Sequence, residues 1–268
     1  MRLASVKLAS VRPASVRPMR AMILAAGKGT RLRPLTDSTP KPLIDVAGRP
    51  MIAFGLDLLR EAGICDVIIN LHHLGYQIRE RLGDGSEFGL RIVYSEEDPI
   101  LDTGGAIAAA REFLSGNTFV VLNADTAIDL RLRDTIEFHK KCQATATMVL
   151  RPDPQVARYG IIEIDRTNRI RRFLGHVRDG DVGPEASLTP LMYAGVQVFE
   201  PRMFAYLPGG VYSITRDVYP RLLEAGEPLY GYVHHGYWRV LDTPEDLAAG
   251  RRELTRAPGL RGTGADPC

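Results

Sequence analysis

A glycine loop, a lysine between two prolines and two well-separated aspartates are the residues of this chain whose types and spacing could do chemistry. Leu24-Ala25-Ala26-Gly27-Lys28-Gly29-Thr30-Arg31-Leu32-Arg33-Pro34-Leu35-Thr36 follows a short apolar run, Ala21 to Ala25. Glycines there let the backbone approach a polyphosphate with its N–H groups turned inward. Pro40-Lys41-Pro42-Leu43 adds a cation on stiffened backbone, and Asp125 ends a second apolar run, Val120 to Leu122. Asp242 precedes Thr243-Pro244, where an aspartate could equally cap a helix. Cations that fork onto phosphate oxygens, with carboxylates at strand ends, suit chemistry between anionic reactants.

The loop fits neither familiar phosphate fingerprint. A dinucleotide fold needs a third glycine where Leu32 stands and an acid at the end of the second strand, where Asn70 sits. A Walker A loop needs glycine at Met22, and a helix after the lysine that Pro34 interrupts. Taken alone, Gly27-x-Gly29 is as readily an ordinary turn, and Arg31 or Lys41 an ordinary solvated cation.

The elements that must position these groups alternate. Strands are expected at Ala21–Ala25, Asp66–Asn70, Leu90–Tyr94 and Thr118–Leu122. Helices are expected at Pro50–Glu61, Leu74–Leu82, Gly105–Leu114 and Leu132–Cys142. That alternation argues for a mainly parallel sheet covered on both faces. Beyond residue 143 the pattern changes to strands joined by turns, at Ala144–Leu150, Gly160–Asp165, Ile170–Leu174 and Met192–Phe199. Helices follow at Pro201–Leu207, Ile214–Ala225 and Pro244–Leu254. Without a long linker, the expectation is one domain over 19–255, with a first half at 19–143 and a smaller lobe at 144–255.

The ends differ from this body. Residues 1–18 repeat Ala-Ser-Val in five-residue steps and hold four basic residues and no acid. They read as a low-complexity, disordered extension, with Met19 an alternative start, and 256–268 as a flexible tail. The chain carries 34 basic and 32 acidic residues; without the extension 30 and 32 remain. The body therefore has no basic block for nucleic acid. The absence of an 18-residue apolar run argues against a membrane span. Cys65, Cys142 and Cys268 form no CxxC pair or zinc spacing, so reduced thiols in a cytoplasmic protein are expected.

G-x-G-x-R-[LM]-x-P-[LM]-T followed by P-K-P-[LM] resembles the signature of the sugar-1-phosphate nucleotidyltransferases, and the likeness runs from about Met19 to Leu254. The resemblance implies a Rossmann-like α/β three-layer sandwich, with a mainly parallel mixed sheet and a small sugar-side lobe. It implies Mg²⁺-assisted joining of an NTP to a sugar 1-phosphate with release of diphosphate. By that likeness Arg31 and Lys41 are catalytic and Asp125 and Asp242 hold the metal. The NTP falls to Leu24, Ala25, Ala26, Gly27, Lys28, Gly29, Thr30 and Arg31, with Thr103, Gly104 and Gly105 reading the base through the backbone of the glycine pair. Lys41, Asn123, Tyr159, Gly160, Glu163 and Gly195 fall to the sugar phosphate. Two departures stand out. Asp242 lies in D-T-P rather than D-x-G-T-P, and the family's E-K-P run is replaced by Arg171-Arg172-Phe173. Among members, the chain looks most like short mannose-1-phosphate guanylyltransferases. N-acetylmuramate-1-phosphate uridylyltransferases and glucose-1-phosphate thymidylyl- or uridylyltransferases are the alternatives, and a non-catalytic nucleotide-sugar-binding subunit is the alternative of another class. NTP and sugar 1-phosphate are the expected partners, with neither nucleic acid nor membrane; a homo-oligomer is left open.

Overall fold

In the computed structural model of the chain, which describes residues 18–178 and 187–256, fourteen strands alternate with helices. Residues 1–17 of the expected 1–18 extension, and the tail beyond Arg256, lie outside the described residues. The first half contains β1 (Arg20–Leu24), α1 (Leu35–Ser38), β2 (Asp45–Val46), β3 (Arg49–Pro50), α2 (Ala53–Ala62), β4 (Asp66–Leu71) and α3 (Gly75–Leu82). It continues through β5 (Arg91–Glu96), α4 (Asp102–Ala109), α5 (Arg111–Leu114), β6 (Phe119–Asn123), β7 (Thr126–Ile128) and α6 (Leu132–Lys141). The second half adds β8 (Ala146–Arg151), α7 (Val156–Tyr159), β9 (Ile162–Ile164), β10 (Ile170–Phe173), β11 (His176–Val177) and β12 (Thr189–Phe199). It closes with α8 (Tyr219–Glu224), β13 (Leu229–Val233), β14 (Trp238–Val240) and α9 (Pro244–Arg256).

β1 is apolar on both faces because it runs through the middle of the sheet, parallel to β4 on one side and β6 on the other. Its last residue, Leu24, is level with Asn70 and Asn123. The glycine loop, the end of β4 and the end of β6 therefore emerge side by side. β5 extends the parallel set beyond β4. On the other flank β12 joins β6 antiparallel and carries β8 and β9, so the second half continues the same ten-stranded mixed sheet.

One apolar cluster fills the face under α4 and α8, with Met22, Val121, Phe199 and Tyr219. A second fills the face under α2 and α6, with Ile23, Leu56, Ile69 and Val120. A third joins Leu32 of the glycine loop to Leu241 and to Leu247 and Leu254 of α9. This last cluster is the packing that draws the end of the chain back onto the loop after β1.

Most expected elements occur within a residue or two. The expected Gly105–Leu114 helix starts earlier, at Asp102, and is interrupted at Ala110. The Pro201–Leu207 helix is a tighter 3₁₀ run, Pro201–Tyr206. Six short strands went unforeseen: β2, β3, β7, β11, β13 and β14. Cys142 carries a free thiol; Cys268 lies outside the described residues.

Candidate active site

The glycine loop leaves β1 as a 3₁₀ turn over Thr30–Leu32. Gly29 holds φ of +61°, a left-handed conformation that glycine adopts without strain. A Cβ there would lie 2.8 Å from Thr36 Cγ2 and 3.0 Å from Lys41 Cβ. The Thr36 hydroxyl donates to the Gly29 carbonyl at 2.9 Å. A side chain at position 29 would thus push Lys41 and α1 away from the loop.

Lys41 is nearly buried, with a relative exposure of 9%. Its Nζ donates to Asp125 Oδ2 at 2.5 Å and to Asp242 Oδ1 at 2.8 Å. Burial works against the charge, but the two carboxylates more than offset it and hold the lysine pKa above its ordinary value. Arg31 pairs with the other oxygen of Asp242 and remains 70% exposed. Two cations and two carboxylates so form one contiguous cluster.

The aspartates meet because of β7 and β14. These strands pair antiparallel, with Thr126 opposite Val240. The Leu241 amide then donates to the Asp125 carbonyl at 2.9 Å, which seats Asp242 beside Asp125. Leu241 is wholly buried in the third cluster, so apolar packing fixes the backbone on which Asp242 rides.

The cluster forms one wall of a cavity of about 300 Å³, lined also by Leu24, Ala25, Gly27 to Thr30, Pro42 and Ala124. Ala26, expected among the nucleotide residues, is buried beside it. Thr103, Gly104 and Gly105 lie outside this lining. The amides of Gly104 and Gly105 both donate to the Tyr212 carbonyl, at 2.9 and 3.3 Å. A Cβ at either glycine would strike the 210–212 segment. These glycines therefore allow close packing, and their amides are committed within the protein. Thr103 Oγ1 accepts from the Ile214 amide at 2.9 Å.

Apart from Lys41, the residues expected on the sugar side also lie outside the lining of this cavity. Tyr159 meets Trp238 edge-on, ring centroids 6.0 Å apart, and Trp238 Nε1 donates to the Ala194 carbonyl at 3.0 Å. Gly160 and Gly195 have φ of +91° and +88°, and their open sides are filled by Leu174 and Thr126. Glu163 accepts from Arg172 at 2.8 Å, and Asp165 from Arg171 at 2.6 Å. Asn123, level with Leu24, ends β6 two residues before Asp125. Sequence reasoning missed Asn70 and Glu97, both almost fully buried at the ends of β4 and β5. Only the polar Asn70 closing an apolar strand could have signalled them.

Among the described residues no group of three or more His, Cys, Asp or Glu gathers to hold a metal, and no helix is long and apolar enough to cross a membrane. A glycine loop after β1, two basic side chains, Asp125 after the parallel strand β6 and Asp242 after the antiparallel β14 gather at one edge of an α/β sheet, an arrangement suited to phosphates. Comparison with known proteins gives the family. The nucleotidyl transferase family model matches residues 20–256, and the chain belongs to that family. It is 36% identical over 90% of its length to mannose-1-phosphate guanylyltransferase of Mycobacterium tuberculosis, spanning 67% of that protein. It is also 36% identical to UTP–glucose-1-phosphate uridylyltransferase of Synechocystis, over 79% of this chain and 57% of the relative. A third relative, N-acetylmuramate alpha-1-phosphate uridylyltransferase of Neisseria meningitidis, is again 36% identical, over 84% of this chain and 94% of its own. The chain thus spans a little over half of one such relative and nearly all of another. HddC from Yersinia pseudotuberculosis shares the fold, with a TM-score of 0.72 at 23% identity, covering 88% of this chain and 99% of that one.

Proposed function

We propose that the protein transfers a nucleotidyl group from an NTP to a sugar 1-phosphate. A sugar-phosphate oxygen forms the new bond to the α-phosphorus, and the bond to the bridging oxygen breaks in line as diphosphate leaves. The observation that carries this reading is the convergence of Lys41, Asp125 and Asp242 on the wall of the glycine-loop cavity. Both reactants are anions, so positioning and charge neutralisation are the main demands on the protein.

Lys41, held rigidly between Pro40 and Pro42, is the cation for the α-phosphate and the sugar phosphate. Arg31, on the glycine loop, forks onto the outer phosphates and steadies the departing diphosphate. The residues from Leu24 to Thr30 cradle the triphosphate. Two carboxylates that already converge on one positive charge suit a hard divalent cation, which takes oxygen ligands and completes its shell with phosphate and water. Asp125 and Asp242 are the residues that would hold Mg²⁺, and when bound it would supply charge neutralisation for the reacting phosphates. Asn123, Tyr159, Gly160, Glu163 and Gly195 are offered as the sugar side. Such chemistry draws on NTP, which favours a cytoplasmic location.

For base and sugar, the mannose-1-phosphate guanylyltransferase reading has the support of the relative covering 90% of this chain. The uridylyltransferases at equal identity keep glucose 1-phosphate and N-acetylmuramate 1-phosphate as rivals. The test is diphosphate release from GTP, UTP, dTTP and CTP, each against a panel of sugar 1-phosphates with Mg²⁺. Release with GTP and mannose 1-phosphate alone is expected; release only with UTP would move the assignment to the rivals, and none with any pair would overturn the activity.

A further inference from the structure

A buried polar bridge joins the start of the glycine loop to the segment after β5. The Ala25 amide donates to Asn70 Oδ1 at 2.8 Å. Asn70 Nδ2 donates to Glu97 Oε1 at 2.8 Å, and the Leu101 amide donates to Glu97 Oε2, also at 2.8 Å. Asn70 and Glu97 are 3% and 5% exposed. The chain of contacts goes on: the Leu101 carbonyl accepts from the Tyr212 amide at 3.2 Å, and the Tyr212 carbonyl accepts from Gly104. One continuous path therefore runs from the cavity's glycine loop to α4.

The donor pattern of this bridge is fully determined. Both ends are backbone amides, which only donate, so position 70 and position 97 must each present an acceptor outward. Between them one side chain must donate and the other accept. An amide at 70 with a carboxylate at 97 meets all three demands, because Asn offers a carbonyl and an NH₂ while Glu offers two acceptors. Buried networks of this kind favour one geometry strongly when complete and lose it when one contact fails.

We infer that Asn70 and Glu97 are positioning residues that set the glycine loop against the 97–105 segment and so shape the nucleotide subsite, an inference that rests on the nucleotidyltransferase reading. The pattern makes an unusual demand on variants. Glu97→Gln sets two NH₂ groups against each other, and Asn70→Asp sets two carboxylates against each other. The double exchange, Asn70→Asp with Glu97→Gln, restores every hydrogen bond and the same total charge with donor and acceptor reversed.

The experiment measures melting temperature and, by calorimetry with Mg²⁺, the Kd for GTP and UTP on all four proteins. Each single variant should melt lower and bind the better nucleotide about tenfold more weakly, the scale of one lost buried contact. The KM for sugar 1-phosphate should hold. The double exchange should recover both melting and Kd to within about twofold of the original. Singles that leave Kd unchanged would overturn the positioning role, as would a double variant no better than the two losses combined. Recovered melting with unrecovered Kd would mean that the Glu97 carboxylate itself touches nucleotide, which also overturns it. If neither nucleotide bound the unaltered protein, the nucleotidyltransferase reading would fall instead, and the melting cycle would then decide the bridge alone.

Discussion

The two ends of β6 each carry a buried titratable group beside a carboxylate, and the two clusters behave in opposite ways. At the carboxyl end Lys41 keeps its charge, because Asp125 and Asp242 outweigh the cost of burial. At the amino end His139, wholly buried, loses its charge: burial dominates over the attraction of Glu200, and Arg202 and Lys140 add to the effect. Its pKa falls from 6.5 to about 4. His139 Nδ1 contacts Thr147 Oγ1 at 2.8 Å, and Thr118 donates to Glu200 at 2.6 Å, so this knot ties α6, β6 and β8 together. None of its members lines the glycine-loop cavity. In this protein the perturbed group that faces open volume is Lys41 at the carboxyl end, the setting in which a shifted pKa points to a functional site. At the far end it marks structure.

The sharpest break of this comparison is removal of a carboxylate from the charged end. Asp125→Asn should lower kcat for diphosphate release by about 10² to 10³-fold, the scale set by losing a key electrostatic group. Asp242→Asn should do the same. Full turnover by either variant would move the reaction away from this cluster. Next come the cations. Lys41→Ala should lower kcat and raise the KM for sugar 1-phosphate, because it faces both reactants. Arg31→Ala should impair NTP use and the diphosphate-driven reverse reaction together, and Arg31→Lys should recover little, since an ammonium lacks the planar fork. A two-substrate rate matrix decides; a change confined to the NTP terms for Lys41→Ala would place the lysine wrongly.

The neutral end should answer in stability and not in rate. His139 has a folded pKa below its unfolded value, so the unfolded chain takes up the proton first. Its contribution is complete above pH 6.5 and is lost as pH falls toward about 4. The loss should reach about 3 kcal/mol at most, since a tenfold difference in proton affinity between the folded and unfolded chain is worth about 1.4 kcal/mol. Urea unfolding from pH 7 to pH 4 should show this slope in the original protein, and His139→Gln should flatten it. kcat of His139→Gln at pH 7 should stay within about twofold. An unchanged slope would remove His139 from the pH response.

Much of this architecture is written locally. The apolar run before Gly27 and the one ending at Asp125 announced β1 and β6, and motif likeness picked out Arg31, Lys41, Asp125 and Asp242 before any contact was known. The cluster itself was not legible, because Lys41 lies 84 residues from Asp125 and 201 from Asp242. What joins them is the β7–β14 ladder, two strands of three residues each. Such short pieces are too brief to show a period of their own, and only the ladder makes them strands. Asn70 likewise looked like a failed acid at a strand end, since nothing in spacing pairs it with Glu97. The Gly104–Gly105 pair invites a backbone-to-ligand reading from sequence, and in the fold Tyr212 and Gly210 take up the space that a side chain there would need.

The smallest expected effect falls on the cluster that belongs to neither end. Arg172 and Glu163 pair across β9 and β10, nine residues apart, at 2.8 Å. Arg171 pairs with Asp165 six residues away. These arginines stand where the family's E-K-P run is replaced, a run whose lysine the resemblance would place on the sugar side. A cross-strand pair so close in sequence forms whenever the hairpin forms, whereas the Lys41 cluster needs the whole fold. The local geometry therefore assigns Arg172 to hairpin stability. Arg172→Gln should cost about 1 kcal/mol or less in urea unfolding, as partly exposed pairs usually do. The KM for sugar 1-phosphate should then stay within about twofold. A rise of about tenfold in that KM, with unfolding unchanged, would turn the result around. It would make Arg172 the replacement for the missing lysine and extend the charged end of β6 across β12 into the second half of the sheet.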